Sequence, residues 1–330
     1  MESINKKKVS HIRSCYLLAL FLFTAPLVLS QNPKKWTPKD RNLSIRMQFP
    51  DGKTKALILS FDDGPKEDRK IVSLLNQYNL KGTFHLNSGR LSDENMITEE
   101  EVKTLYTGHE ISLHGYNHQG MTNLSNIDYI YEIGEDRRLL EQVSGRLVRG
   151  LAYPFGSYNV DAIPTMKDLG VEYARTVEDT EAFDIPKNFM LWHPSIHMFA
   201  KANYMGNSPE KDQIEFDKFD NLTDAFLNEN QLALYYVWGH SWEYNQRWDK
   251  VEAFFKKISN IDEIYYTTHI ELVDYLNAFK SMVISVDKTQ FLNNSAMDLF
   301  FSITDYSNTK KPWVHNIELP AGQVITILHR

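Results

Sequence analysis

The sequence predicts an α/β fold: a parallel sheet of seven or eight strands able to close into a barrel, followed by a small C-terminal β appendage. From residue 54 to about 279, short apolar runs alternate with longer segments whose apolar residues recur every three or four positions. That alternation calls for parallel strands joined by helical crossovers. Charged and imidazole side chains stand at the ends of several apolar runs, where such a barrel gathers its chemistry. After Lys280 the helical period stops, and alternating runs with polar turns such as "PAGQ" take over.

Taken in order, the chain opens with Lys6, Lys7, Lys8 and Arg13 ahead of the apolar "CYLLALFLFTAPLVLS", which reads as a secretory signal peptide over residues 1–30. This run of 16 residues is interrupted by Pro26 and is shorter than the roughly 20 residues of a spanning helix, so no stable membrane span is expected after cleavage. The protein is then exported, to a periplasm or the exterior. Cys15 is the only cysteine, and it leaves with the signal, so a metal site in the mature chain must use His, Asp and Glu. Removing Lys6, Lys7, Lys8, Arg13 and Glu2, net +3, takes the formal charge from −7 to −10 and argues against a nucleic-acid partner. Aromatic residues at 12% suit carbohydrate stacking and suit an ordinary core equally well.

Residues 31–53 read as a lead-in, 54–279 as the catalytic domain and 280–330 as the appendage. Strands are predicted at 54–61, 82–87, 109–115, 148–154, 171–177, 189–195, 232–240 and 263–269. Helices are predicted at 67–79, 97–108, 127–145 and 250–260, and 200–216 reads as an irregular insertion.

The first strand ends in "LSFDDGP", with Asp62 and Asp63 side by side. Neighbouring carboxylates repel unless a cation or a proton settles them. The third strand ends in "HGYNH", whose His114 and His118 are spaced H-x-x-x-H, on one helical turn or in a tight loop. One aspartate and two histidines make a facial set for Zn²⁺, and the second aspartate could act as a base. The competing reading makes one aspartate a helix cap ahead of Pro65, although a cap does not explain two.

"SFDDGP" (60–65), "HGYNH" (114–118), "YPFG" (153–156) and "GHSWE" (239–243) together resemble the NodB-homology polysaccharide deacetylases, carbohydrate esterase family 4, over roughly residues 54–279. The resemblance implies a distorted (β/α) barrel of about seven strands, a divalent metal (zinc first), and hydrolysis of acetyl groups from a polysaccharide or oligosaccharide. It casts Asp62 as catalytic base, Asp63, His114 and His118 as metal ligands, and His240 as the proton donor to the leaving group. Pro154 and Phe155 match the third motif, with the Phe155 N–H as oxyanion donor. Four departures stand out: Gly115 in place of a hydroxyl residue, Val237 in place of a leucine, Ala152 in place of the arginine that orients the base, and no clean match to the aspartate–tryptophan motif expected before His240.

Arg175, ending the next strand, is the substitute its place on the rim suggests, offering a guanidinium fork to Asp62, whereas Arg149 lies deeper. Trp192 is a candidate binding wall, with a core tryptophan as the competing reading. His85, His193 and His197 read as structural. N-deacetylation of an amino-sugar glycan is the leading activity. O-deacetylation of xylan or another glycan is the first alternative, and an inactive carbohydrate-binding protein, given weight by Ala152, is the second.

Overall fold

The computed structural model describes residues 43–199, 208–306 and 313–327. The signal-peptide reading and the first part of the lead-in lie outside them. The elements are β1 (Leu43–Gln48), β2 (Lys55–Asp63), α1 (Asp68–Gln77), β3 (Thr83–Leu86), α2 (Glu99–Leu105), β4 (Glu110–Leu113), α3 (Asn126–Ser144), β5 (Gly150–Ala152), α4 (Ile163–Asp168), β6 (Tyr173–Arg175), β7 (Ile196–His197), α5 (Pro209–Leu227), β8 (Ala233–Gly239), α6 (Trp248–Ile258), β9 (Ile264–Tyr266) and α7 (His269–Lys280). Five short strands follow: β10 (Val283–Ile284), β11 (Gln290–Leu292), β12 (Leu299–Asp305), β13 (Trp313–Leu319) and β14 (Val324–Thr326).

The central sheet runs β6-β5-β4-β3-β2-β8-β7 with every pair parallel, and β9 pairs with the first half of β2. β2 is buried along nearly its whole length and β8 throughout, as strands covered on both faces must be. Helices pack outside: α1 buries Ile71, Val72, Leu74 and Leu75, and α6 buries Val251, Phe254, Phe255 and Ile258. α2 and α7 each open on a capping box, Thr98 with Glu101 and Thr268 with Glu271.

Between the edges β6 and β7 the main chain itself closes the gap. Trp192 N–H donates to Ala174 O (2.9 Å), Thr176 N–H to Trp192 O (3.0 Å), and Ser195 N–H to Tyr236 O (2.8 Å). The result is the distorted (β/α) barrel. The strand predicted at 189–195 is corrected: only Ile196–His197 pairs regularly, and the residues before it cross from one edge to the other with a single bridge at Trp192. Pro194 has no N–H to give a ladder there. The insertion read at 200–216 is corrected over its described part, because residue 209 begins the 19-residue α5. Ser208 caps it by accepting the Lys211 N–H, and Pro209 takes the first helical position.

The C-terminal strands form two small sheets, β1-β12-β13 and β10-β11-β14, in the same compact unit as the barrel. β1 comes from the lead-in and pairs antiparallel with β12 from Leu43↔Asp305 to Gln48↔Phe300. Tyr275 on α7 donates its hydroxyl to Gln48 O (2.6 Å), tying this sheet to the barrel's last helix.

Candidate active site

Asp62 and Asp63 end β2, and a regular strand would point them to opposite faces. Asp63 has φ +77°, which breaks the alternation and turns its carboxylate back to the rim that Asp62 faces. His114 follows β4, and the loop to His118 is not helical: Gly115 (φ +79°) and His118 (φ +59°) are both left-handed, which settles the H-x-x-x-H pair as a tight loop.

The two imidazoles and Asp63 converge. Asp63 Oδ1 lies 3.5 Å from His114 Nε2 and 3.4 Å from His118 Nε2, and the three ligand atoms sit within 4.8 Å of one another. Bonds of about 2.0–2.1 Å to a tetrahedral ion set its donors roughly 3.3 Å apart, close to these spacings. Asp63 Oδ1 is buried with no hydrogen-bond partner, and His114 Nδ1 is engaged by Ala152 O at 2.8 Å, leaving Nε2 for the centre. The donor set therefore fits a divalent cation.

The charges are consistent with this. Burial alone would raise both aspartates. Arg175 and the surrounding imidazoles hold Asp62 well below the usual carboxylate range, and the neighbouring His114 and His240 imidazoles hold Asp63 down. Burial, helped by His114, pushes His118 down to about 4, so it is neutral and free to ligate at neutral pH.

Sequence reasoning did not find what holds the histidine loop. Asp136 on α3 accepts His114 N–H (3.1 Å) and Ser88 N–H (2.8 Å), and Asn87 Nδ2 donates to His114 O (2.6 Å) and Gly115 O (2.7 Å). Glu132, also on α3, accepts from both the main chain (2.9 Å) and the side chain (2.8 Å) of Asn117. The available signal was two acids, Glu132 and Asp136, on the buried face of a helix.

Arg175 lies directly across from Ala152 in the β5–β6 register and is wholly buried. Its Nη2 donates to Asp62 Oδ2 in a short ion pair, its Nη1 donates to Thr176 O (2.9 Å), and its guanidinium lies 4.5 Å from the Trp238 ring centroid. The expected fork is corrected to a single bond, because Nη1 is taken by Thr176 and Nε has no partner. Arg149 goes elsewhere, to Glu172 and Asp274.

His240 follows β8 and presents Nε2 to Asp63 Oδ2 at 4.0 Å. Its Nδ1 lies 3.0 Å from Glu243 Oε2, and His197 Nε2 lies 2.7 Å from the same oxygen. This second cluster sits at hydrogen-bonding distances, tighter than the roughly 3.3 Å spacing of ligands around an ion. Burial would lower His240, but Glu243 and the two aspartates lift it to about 9, while the imidazoles hold Glu243 at about 2.

Pro154 is buried, and Phe155, at φ +58°, stands 70% exposed with its ring 4.5 Å from that of His118. Trp192 is corrected as a binding wall: it is 1% exposed and packs against Phe189, Tyr236 and His269 in the core. Trp242 does stand at the site, its indole N–H donating to Asp63 Oδ2 (3.3 Å) beside a cleft of about 460 Å³.

Residues 50–174 match the family model for polysaccharide deacetylase. Over this segment the chain is similar to the polysaccharide deacetylase family. It contains Asp62, Asp63, His114, His118, Pro154 and Phe155, whereas Arg175 and His240 lie beyond it. Among similar proteins, a peptidoglycan-N-acetylglucosamine deacetylase of Bacillus cereus is 26% identical over 130 residues, 39% of this chain and 45% of that protein. A poly-beta-1,6-N-acetyl-D-glucosamine N-deacetylase of Staphylococcus aureus is 26% identical over 141 residues, 38% of this chain and 49% of that protein. The chain thus spans about half or less of the curated relatives it matches. In fold it is similar to a polysaccharide-deacetylase-like crystal structure from Mycobacterium smegmatis, with a TM-score of 0.55 and 16% identity over 71% of this chain and 94% of that one. No helix among the described residues is long and apolar enough to cross a membrane.

Proposed function

We propose that this protein is an exported, metal-dependent hydrolase that removes N-acetyl groups from an amino-sugar-containing polysaccharide or oligosaccharide. The observation that carries this reading is the convergence of Asp63, His114 and His118 between a carboxylate held by Arg175 and an imidazole held by Glu243. Asp63, His114 and His118 would hold a divalent cation, and two imidazoles with one carboxylate suit zinc. When bound, the ion supplies Lewis-acid polarisation of the acetyl carbonyl and a more acidic attacking water.

The protein's own groups do the rest. Asp62 is ionised at neutral pH because Arg175 and the imidazoles offset its burial, so it can accept the proton of the attacking water. The Phe155 main-chain N–H, on the left-handed turn beside His118, is the donor we assign to the developing oxyanion. His240 approaches from the β8 side with Nδ1 committed to Glu243, so the proton it delivers to the departing amine leaves from Nε2. The relatives named for deacetylation of peptidoglycan and of poly-N-acetylglucosamine support an acetylated glycan as partner.

The test is acetate release from N-acetylglucosamine oligomers and from acetylated xylan, with metal content measured on the same samples. The expected result is N-deacetylation that a chelator abolishes and zinc restores. Asp62→Asn should keep its metal and lose most turnover; near-normal rates in that variant would remove Asp62 as the base. Release from xylan alone would overturn the N-acetyl assignment.

A further inference from the structure

Glu243 is fully buried, and one of its oxygens serves two imidazoles. Oε2 lies 2.7 Å from His197 Nε2 and 3.0 Å from His240 Nδ1, and it also accepts the His240 main-chain N–H at 3.1 Å. An ionised carboxylate only accepts, so each ring nitrogen facing it carries its proton. His197 comes from β7, a strand remote in sequence from the loop that carries His240 and Glu243.

His197 is fixed independently of Glu243. Its main-chain N–H donates to Asp179 Oδ2 (3.0 Å), and Asp179 Oδ1 accepts the Trp238 indole N–H (2.9 Å). The His197 ring lies on the Trp238 ring with centroids 4.0 Å apart and planes 25° apart. Gly239 leaves the space: a Cβ there would sit 3.4 Å from His197 Cδ2 and 2.3 Å from the Tyr244 hydroxyl. A rigid imidazole donor is thus aimed at the carboxylate that orients His240.

We propose that His197 is a positioning residue for the deacetylation: its Nε2–H pins Glu243 in the rotamer that accepts from His240 Nδ1, and so keeps His240 Nε2 turned to the reacting centre. The proposal rests on the reading of His240 as the proton donor. Glu243 Oε1 is already buried without a partner, so losing the His197 bond leaves the carboxylate with only the two donors of His240 itself and loosens its rotamer.

Two substitutions separate the hydrogen bond from the ring stacking. His197→Gln places an amide N–H near the Nε2 position and gives up the stack on Trp238, whereas His197→Phe keeps an aromatic ring there and has no donor. With N-acetylglucosamine oligomers and the full-length zinc-loaded protein, His197→Phe should lower kcat about tenfold or more while KM and bound metal change little, and His197→Gln should recover most of that loss. In the metal-free protein, ¹⁵N and ¹H resonances should show the His240 Nδ1–H hydrogen bond to Glu243 retained in His197→Gln and weakened in His197→Phe.

The opposite order, with Phe near normal and Gln impaired, would reduce His197 to a stacking partner and overturn the proposal, as would equal rates in both variants. His240→Ala, run in parallel, keeps the two failures apart. If His240→Ala loses turnover while His197→Phe does not, only the His197 role fails; if His240→Ala turns over normally, the proton-donor reading fails first.

Discussion

Arg175 is where the structure bears most directly on a departure from the pattern the resemblance implies, the alanine at position 152. Arg175 stands one strand over from Ala152, in register, and reaches the Asp62 carboxylate, so we propose that it takes the place of the arginine the resemblance leads one to expect at 152. Arg175→Ala should therefore lower kcat by about 10–100-fold while the metal content of the folded protein holds. Kinetics and metal analysis on one preparation decide it, and unchanged turnover would refute the compensation. Because only one guanidinium N–H meets Asp62, Arg175→Lys should keep part of the activity; its loss then lies in the Thr176 and Trp238 contacts that lysine does not reproduce. Asp62, Asp63, His114, His118 and His240 were legible in the sequence because each follows a run of strand character. The His197–Glu243 pairing was not, since nothing in the sequence brings a histidine of β7 onto a carboxylate after β8. Trp192 misled for the opposite reason: an aromatic residue next to a barrel edge looks the same in sequence whether it lines a cleft or fills the core.

Among the elements, the loop after β4 and the base of β4 itself each carry a consequence. Gly115 lacks the hydroxyl expected from the resemblance, and α3 restrains the loop through Glu132 and Asp136. Restoring the hydroxyl with Gly115→Ser should harm the protein. Its φ of +79° costs a side chain about 1–2 kcal/mol, and the new Cβ would press on Glu132 Oε2 at 3.3 Å. A fall in Tm of about 2–4 °C per kcal/mol, with weaker metal binding, is the expected result, and an unchanged Tm would show that the loop adjusts freely.

At the start of β4, burial lifts the Glu110 carboxyl from an ordinary 4.5 to about 7, despite hydrogen bonds from the Tyr173 hydroxyl, the Ile270 N–H and the Thr83 hydroxyl. Between those two values the folded chain holds a proton the unfolded chain has released, so this group's contribution to stability falls as pH rises through the window. Thermal melts at pH 5 and pH 7.5 should show a smaller decline in Glu110→Gln than in the parent, and equal slopes would contradict it. Strand–helix alternation made these elements readable. α5 was missed because its described buried face is thin, Phe219, Thr223 and Phe226 in a strongly charged segment.

At the scale of the whole molecule, the C-terminal strands are joined to the chain's beginning as well as to its barrel. β1 pairs with β12 along its whole length, and the Tyr275 hydroxyl on α7, which donates to Gln48 O, also accepts the Phe300 N–H (3.0 Å). Deleting residues 281–330 would strip β1 of its partner and uncover Leu43, Tyr275 and Ala278, which share a core with Phe291, Phe301 and Leu319. The truncated protein should melt well below the parent while its KM for N-acetylglucosamine oligomers changes little; a fully stable truncation that had lost glycan affinity would make the region a binding module. The alternating runs after Lys280 announced strands, but not that their partner lay at the far end of the sequence, because strand pattern records which face is buried and not which strand lies beside it. That same pairing sets an order of events in folding. With Leu43 opposite Asp305, β1 has no neighbour until almost the whole chain has been made, and contacts of such long separation are the slowest to find. β3 to β6, each beside a strand next to it in sequence, can pair long before that, and β1 is left to be sewn on once β12 exists.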